Sequence, residues 1–225
     1  MSAIPPDLPT PATSAASPER ASGARSRPFL DVADLPDLAF GSRDLMWWGT
    51  LGFVVIEGFT LALCLMVYLY LWKNYSEWPP AGTERPTLLW PTVQVAAMLV
   101  SLPIIRRAQR VAKEFDLDAT RNYLVVASLF MVAFAVLRGL ELVSLHAKWS
   151  MNAYASAQWL VVGSHATLIA VEMVEILGMA LLFWFGTVEK KHFSDVADMG
   201  FYWFFLVLAW IPCYVLNYLG PWVMS

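Results

Sequence analysis

Residues 157-187, AQWLVVGSHATLIAVEMVEILGMALLFWFGT, constrain this chain more than any other stretch. At ~1.5 Å of rise per residue, such a run is long enough to cross a bilayer as a helix. Yet it carries His165, Glu172 and Glu175 inside an otherwise apolar sequence. Seven residues, about two turns, separate His165 from Glu172, and Glu175 follows three later. The spacing predicts all three on one broad side of a helix. A charge near the bilayer centre costs ~2.5–3.5 kcal/mol even on lenient insertion scales. That side is therefore expected to face protein, water or lipid headgroups, not acyl chains.

Composition extends the inference to the whole chain. Of the 225 residues 58% are hydrophobic and only 15% charged, against ~25% charged in an ordinary soluble domain. Eleven Trp and thirteen Phe fit the aromatic belts of an integral membrane protein. A formal net charge of −3 gives no sign of nucleic-acid binding. Cys64 and Cys213 both lie in apolar runs, where a thiol behaves as a small hydrophobe, so neither a disulfide nor a thiolate metal site is expected.

Along the chain, an N-terminal extension over residues 1-43 is rich in Pro, Ala and Ser and lacks the apolar core of a secretory signal. Its first part, 1-28, reads as disordered, and 29-43 as a segment docking on the membrane surface or on a partner. Residues 44-225 hold five apolar spans. The first, 45-72, has aromatic residues at both ends and Glu57 near its middle. The second, 87-105, is short and contains Pro91 and Pro103, so neighbouring helices must satisfy its freed backbone groups. The third, 121-146, follows a candidate N-cap at Asp118 and carries Arg138 and Glu141. The opening stretch is the fourth. The fifth, 199-219, is aromatic-rich, with a kink expected at Pro212. Short connections such as 147-156 make neighbouring spans antiparallel. The predicted fold is an all-α membrane protein, a bundle of five transmembrane helices.

Basic residues set the expected orientation. One side of the membrane would gather Arg20, Arg25, Arg27, Arg43, Arg106, Arg107, Arg110, Lys113, Arg121, Lys190 and Lys191, and the other only Lys73, Arg85 and Lys148. The positive-inside rule then places the N-terminus in the cytoplasm and the C-terminus in the periplasm.

Each intramembrane polar residue has a functional and a structural reading. Glu57, followed by Gly58, is either a carboxyl that holds or relays a proton, or a protonated acid bonded to a helix brought close by the glycine. Arg138 and Glu141, three apart, are spaced to pair on one face and anchor packing. His165, Glu172 and Glu175 suit a proton relay or polar packing. Their outermost pair is ~15 Å apart along the axis, too far to close on one metal ion without donors from other helices. His146, near the end of the third span, reads as interfacial. No nucleophile–base set, phosphate-cradling loop or haem motif appears, and with His165 the one histidine deep in a span, two axial histidines are lacking. No catalytic, cofactor-binding or metal residue is assigned.

Together the spans resemble subunit III of the haem-copper oxidases, in the five-helix form of some bacterial quinol and cytochrome c oxidases, over about residues 44-222. WWGTLGFVVIEGF is similar to the family segment leading into a Ser/Ile-Glu dipeptide, with Glu57 at the intramembrane glutamate. LRGLELVSL is similar to its Gln-x-x-Glu-Tyr stretch; Glu141 matches the acid, while Arg138 replaces Gln and Leu142 replaces Tyr. GSHATL resembles Gly-x-His-x-x-His, with His165 as the first histidine and Leu168 in place of the second. YWFFLVLAWIPCY resembles the terminal Tyr-Trp-His-Phe-x-Asp motif, keeping Tyr202 and Trp203 but replacing its His and Asp with Phe204 and Val207. Glu172 and Glu175 are additional to the pattern, which marks a divergent branch.

The resemblance implies a non-catalytic accessory subunit of a respiratory terminal oxidase in a bacterial inner membrane. Such a chain binds no redox cofactor and holds phospholipid. It supports proton uptake and stability, and packs on the catalytic subunit I and on subunit II, which carry the haem and copper. The divergence leaves a subunit III-like partner of a nitric oxide reductase as an alternative. In a different class, the buried carboxyls suit a small proton-coupled transporter, although the chain shows neither an internal repeat nor an even number of spans.

Overall fold

The computed structural model describes residues 45–223, so the expectations for the N-terminal extension fall outside the described residues. Among the described residues the regular structure is helical throughout, without a strand. Five helices are long and apolar enough to cross a membrane. They are α1 (Leu45–Asn74), α2 (Leu89–Lys113), α3 (Leu117–Val143), α4 (Ala153–Phe185) and α5 (Lys190–Tyr214). The last runs on through a π-helical turn, Val215–Leu219, into a final α-helical turn, Gly220–Val223.

The helix ends do not coincide with the expected spans, α3 and α4 starting earlier and stopping sooner, and local chemistry explains several of them. Pro91 lies in the first turn of α2, where no intrahelical donor is needed, and the helix passes through Pro103 to end at Lys113. Its last turns carry Arg106, Arg107, Arg110 and Lys113. These side chains are good helix formers too polar to count in an apolar span. Asp118 is not the cap of α3. Asp116, in an extended conformation, accepts the Ala119 N–H at 3.0 Å, while Asp118 sits in the first turn, 3.6 Å from Arg121. At the other end α3 stops at Val143, leaving His146 exposed in the connection. Asn152 caps α4 by accepting the Ala155 N–H at 2.8 Å. At the start of α5 the backbone N–H of Glu189 donates to His192 Nδ1 at 2.9 Å. A hydrogen bond from the Lys191 ammonium holds the Glu189 carboxyl below its usual range.

Helix α5 is the most buried span and α1 the least. In the bundle α2 packs on α3 and α5, α3 on α4, and α1 lies against α4 and α5. Helix α1 runs parallel to α5, with Trp47 beside Phe201 and Trp72 beside Gly220. It runs antiparallel to α4, where Cys64 faces Ser164 and Tyr68 faces Tyr154. The starts of α1, α3 and α5 and the ends of α2 and α4 therefore share one end of the bundle, termed the basic end. A core of Met98, Met131, Phe134, Ile169, Trp203 and Leu206 fills the centre. Two glycines permit close approach. A Cβ on Gly58 would meet the Phe205 ring at 3.3 Å, and one on Gly200 would collide with the Gln109 side chain at 2.4 Å. Gln109 donates across that contact to the Ala197 carbonyl at 2.7 Å.

Candidate functional site

The ionisable side chains expected at membrane depth fall into two groups within the bundle. The first joins α3, α4 and α5. Arg138 pairs with Glu141 at 2.6 Å, one turn along α3, and its other terminal nitrogen lies 2.9 Å from His165 Nδ1. His165 Nε2 lies 3.0 Å from the Leu206 carbonyl. A guanidinium can only donate, so Nδ1 accepts, and Nε2 must carry the proton it donates to Leu206. The imidazole is thereby fixed as the neutral Nε2–H tautomer, with both nitrogens committed. Tyr218 donates to the second carboxylate oxygen of Glu141. The guanidinium stacks 3.8 Å over the Trp210 ring, which also faces the imidazole. Arg138, Glu141 and His165 are all buried. Tyr218 and His165 meet the outer groups of the pair, as a low-dielectric interior demands, while the Arg138 Nε–H has no hydrogen-bond partner among the described residues.

The second group lies towards the basic end, where α1, α4 and α5 meet. Tyr202 donates to the half-buried Glu57 carboxyl, and Gly58 brings α1 against Phe205 beside it. Glu172 is fully buried, and neither of its carboxyl oxygens has a hydrogen-bond partner among the described residues. Glu57 and Glu175 are its electrostatic neighbours, and Tyr202 senses all three carboxyls.

The single broad side expected on α4 is divided. His165 and Glu172 lie on its buried stripe with Ile169 and Ile176, whereas Glu175 is exposed. At about 100° per residue, Glu172 lies ~20° around from His165 but Glu175 ~80°, enough to pass the edge of the contact. No three His, Cys, Asp or Glu side chains among the described residues converge as metal ligands would. Sequence reasoning missed Trp210 and Tyr218. Tyr218 lies within the π-helical turn, whose wider ladder turns Asn217 and Tyr218 inward, and no periodicity signals that register shift.

No family model matches the chain. It is similar to a curated protein, cytochrome c oxidase subunit 3 of Synechocystis sp., with 23% identity over 184 residues, covering 80% of this chain and 77% of that one. The five apolar helices fit that similarity, at an identity that marks it as distant. The residues by which this chain resembles the family come from four separate segments and pair in two separate groups. Glu57 bonds to Tyr202, Glu141 and His165 share Arg138, and Trp203 donates to Ser101 at 2.8 Å. The divergent positions are accommodated locally: Val207 packs in the core, and Phe204 lies under the Arg106 guanidinium at 5.1 Å.

Proposed function

We propose that this multi-pass membrane chain is a non-catalytic accessory subunit of a respiratory haem-copper terminal oxidase. It packs on the catalytic subunit I beside subunit II in a bacterial inner membrane, with its N-terminus in the cytoplasm. Haem and copper belong to those partners. This chain supplies a rigid helical face, a seat for bound phospholipid, and carboxyls that support proton uptake. The observation that carries the reading is the similarity to cytochrome c oxidase subunit 3 across most of both chains, joined to the pairing of its motif residues in space. The exposure of α1 agrees with it. Phe53, Ile56, Phe59 and Met66 lie on a surface that lipid or a larger subunit would cover.

Purification of the chain from its native membrane tests the reading. It should bring down a partner with a haem difference spectrum, whereas recovery of a haem-free monomer overturns it. The divergent positions Leu168, Phe204 and Val207 favour one second reading, the corresponding partner of a nitric oxide reductase. The two separate by whether the purified complex consumes oxygen or nitric oxide. Ion-driven flux by the reconstituted chain alone, abolished by Glu172→Gln, would instead make it a transporter.

A further inference from the structure

Glu172 has no place in the accessory role as stated. It belongs neither to the Arg138 network nor to the Glu57–Tyr202 bond, and it is sealed inside the bundle where no partner subunit reaches it. We infer that Glu172 is a proton-storage site, loaded from the basic end of the bundle through Glu175.

The ligand class follows from what surrounds the carboxyl. Its electrostatic neighbours are Glu57 on α1 and Glu175 on its own helix, and Tyr202 on α5 senses the same three acids. Helix α3, the remaining element packed on α4, offers no counter-charge: Asp118 and Arg121 lie at the basic end, and Arg138 is committed to Glu141 and His165. An ionised Glu172 would therefore lack both a cation and a hydrogen-bond donor, while a protonated one is neutral. A metal ion is disfavoured, because no three ligating side chains converge among the described residues. The proton is the cation this site can take.

A one-ended route leads to it. Glu175 stands one turn along α4, ~4.5 Å in rise, and is exposed on the bundle surface. Asp195, in the second turn of α5, is the next electrostatic neighbour of Glu175. Asp195 and Tyr202 are seven residues apart, so the same face of α5 runs from the basic end to the Glu57 bond. In the loading step the Glu175 carboxyl turns inward from its exposed position to reach Glu172, with which it makes no hydrogen bond at rest. Its O–H then breaks as an O–H forms on the Glu172 carboxylate, and the negative charge moves outward to Glu175. Beyond Glu57 the α1–α5 contact is Gly58 against Phe205. On α4 the next ionisable group is His165, seven residues and ~10.5 Å of rise away, too far for a direct transfer. The route stops there, which makes the site a store rather than a channel.

The inference goes beyond the accessory-subunit reading and does not depend on it. The test is infrared spectroscopy of the full chain in its native complex, in lipid, following the C=O band of protonated carboxyls during transfer to deuterated buffer. Glu172→Gln should remove one such band. Glu175→Gln should keep the band and slow its isotope shift at least tenfold. Should Glu172→Gln fail to assemble, Glu172→Asp should move the band without removing it. Three outcomes overturn the proposal: a spectrum unchanged by either Glu172 variant, an exchange rate unchanged by Glu175→Gln, or a wild-type band that never exchanges. A haem-free preparation that still shows the exchanging band would sink the oxidase reading alone.

Discussion

Arg138 is fixed by what each of its terminal nitrogens can do. One binds Glu141 and the other His165, and the planar guanidinium still stacks on Trp210. Removing one partner of so buried a pair leaves an uncompensated charge, costing ~3–5 kcal/mol, whereas replacing both with apolar residues costs far less. Glu141→Leu and Arg138→Met should thus each destabilise the chain severely, while the double variant recovers much of the loss. Thermal unfolding in detergent of the four proteins checks this, and additive losses would show that the two side chains are not coupled. Glu57 differs, because its Tyr202 partner is a neutral donor. The amide oxygen of Glu57→Gln can still accept that hydrogen bond, so the variant should assemble normally, with a loss of no more than ~1 kcal/mol. Disappearance of the chain from its complex would mean that the carboxyl itself is required. The i, i+3 spacing of Arg138 and Glu141 was legible in the sequence. Their ties to His165, Tyr218 and Trp210 were not, because they join residues distant in sequence and, for Tyr218, lie within a π-helical turn.

At the scale of the helix, the five apolar spans were legible in number and order, and their boundaries were not. Hydropathy reports where a helix meets lipid, not where its hydrogen-bond ladder ends. Hence α2 continues into Arg106–Lys113, and α5 begins at Lys190 rather than 199. The start of α3 shows the limit most clearly, since two aspartates two residues apart could each act as its cap. Only Asp116 adopts the extended backbone that lets its carboxylate reach the third N–H. Asp116→Ala should lower stability by ~0.5–2 kcal/mol, the usual cost of a lost N-cap. Asp118→Ala, which removes only a long contact of an exposed carboxylate with Arg121, should cost less than ~0.5 kcal/mol. Equal losses in denaturant melts would return the cap to Asp118.

For the whole molecule, orientation decides what the buried carboxyls can do. Basic residues cluster at the end shared by the starts of α1, α3 and α5, and Glu175 and Asp195 lie in the half of the bundle nearer that end. If that end is cytoplasmic, as charge asymmetry predicts, Glu172 would exchange protons with the compartment from which a respiratory oxidase draws them. Lys113, at the end of α2, and Lys148, in the α3–α4 connection, are exposed at opposite ends, and the native Cys64 and Cys213 are buried. Single cysteines placed there should therefore react distinguishably with a membrane-impermeant maleimide. In intact spheroplasts Lys148→Cys should label and Lys113→Cys should not, and in inverted vesicles the pattern should reverse. The opposite result would put the basic end outside, and Glu172 would then load from the periplasm. Proton storage could survive that reversal, but a contribution to cytoplasmic proton uptake could not, because the next ionisable group on α4, His165, lies ~10.5 Å beyond Glu172.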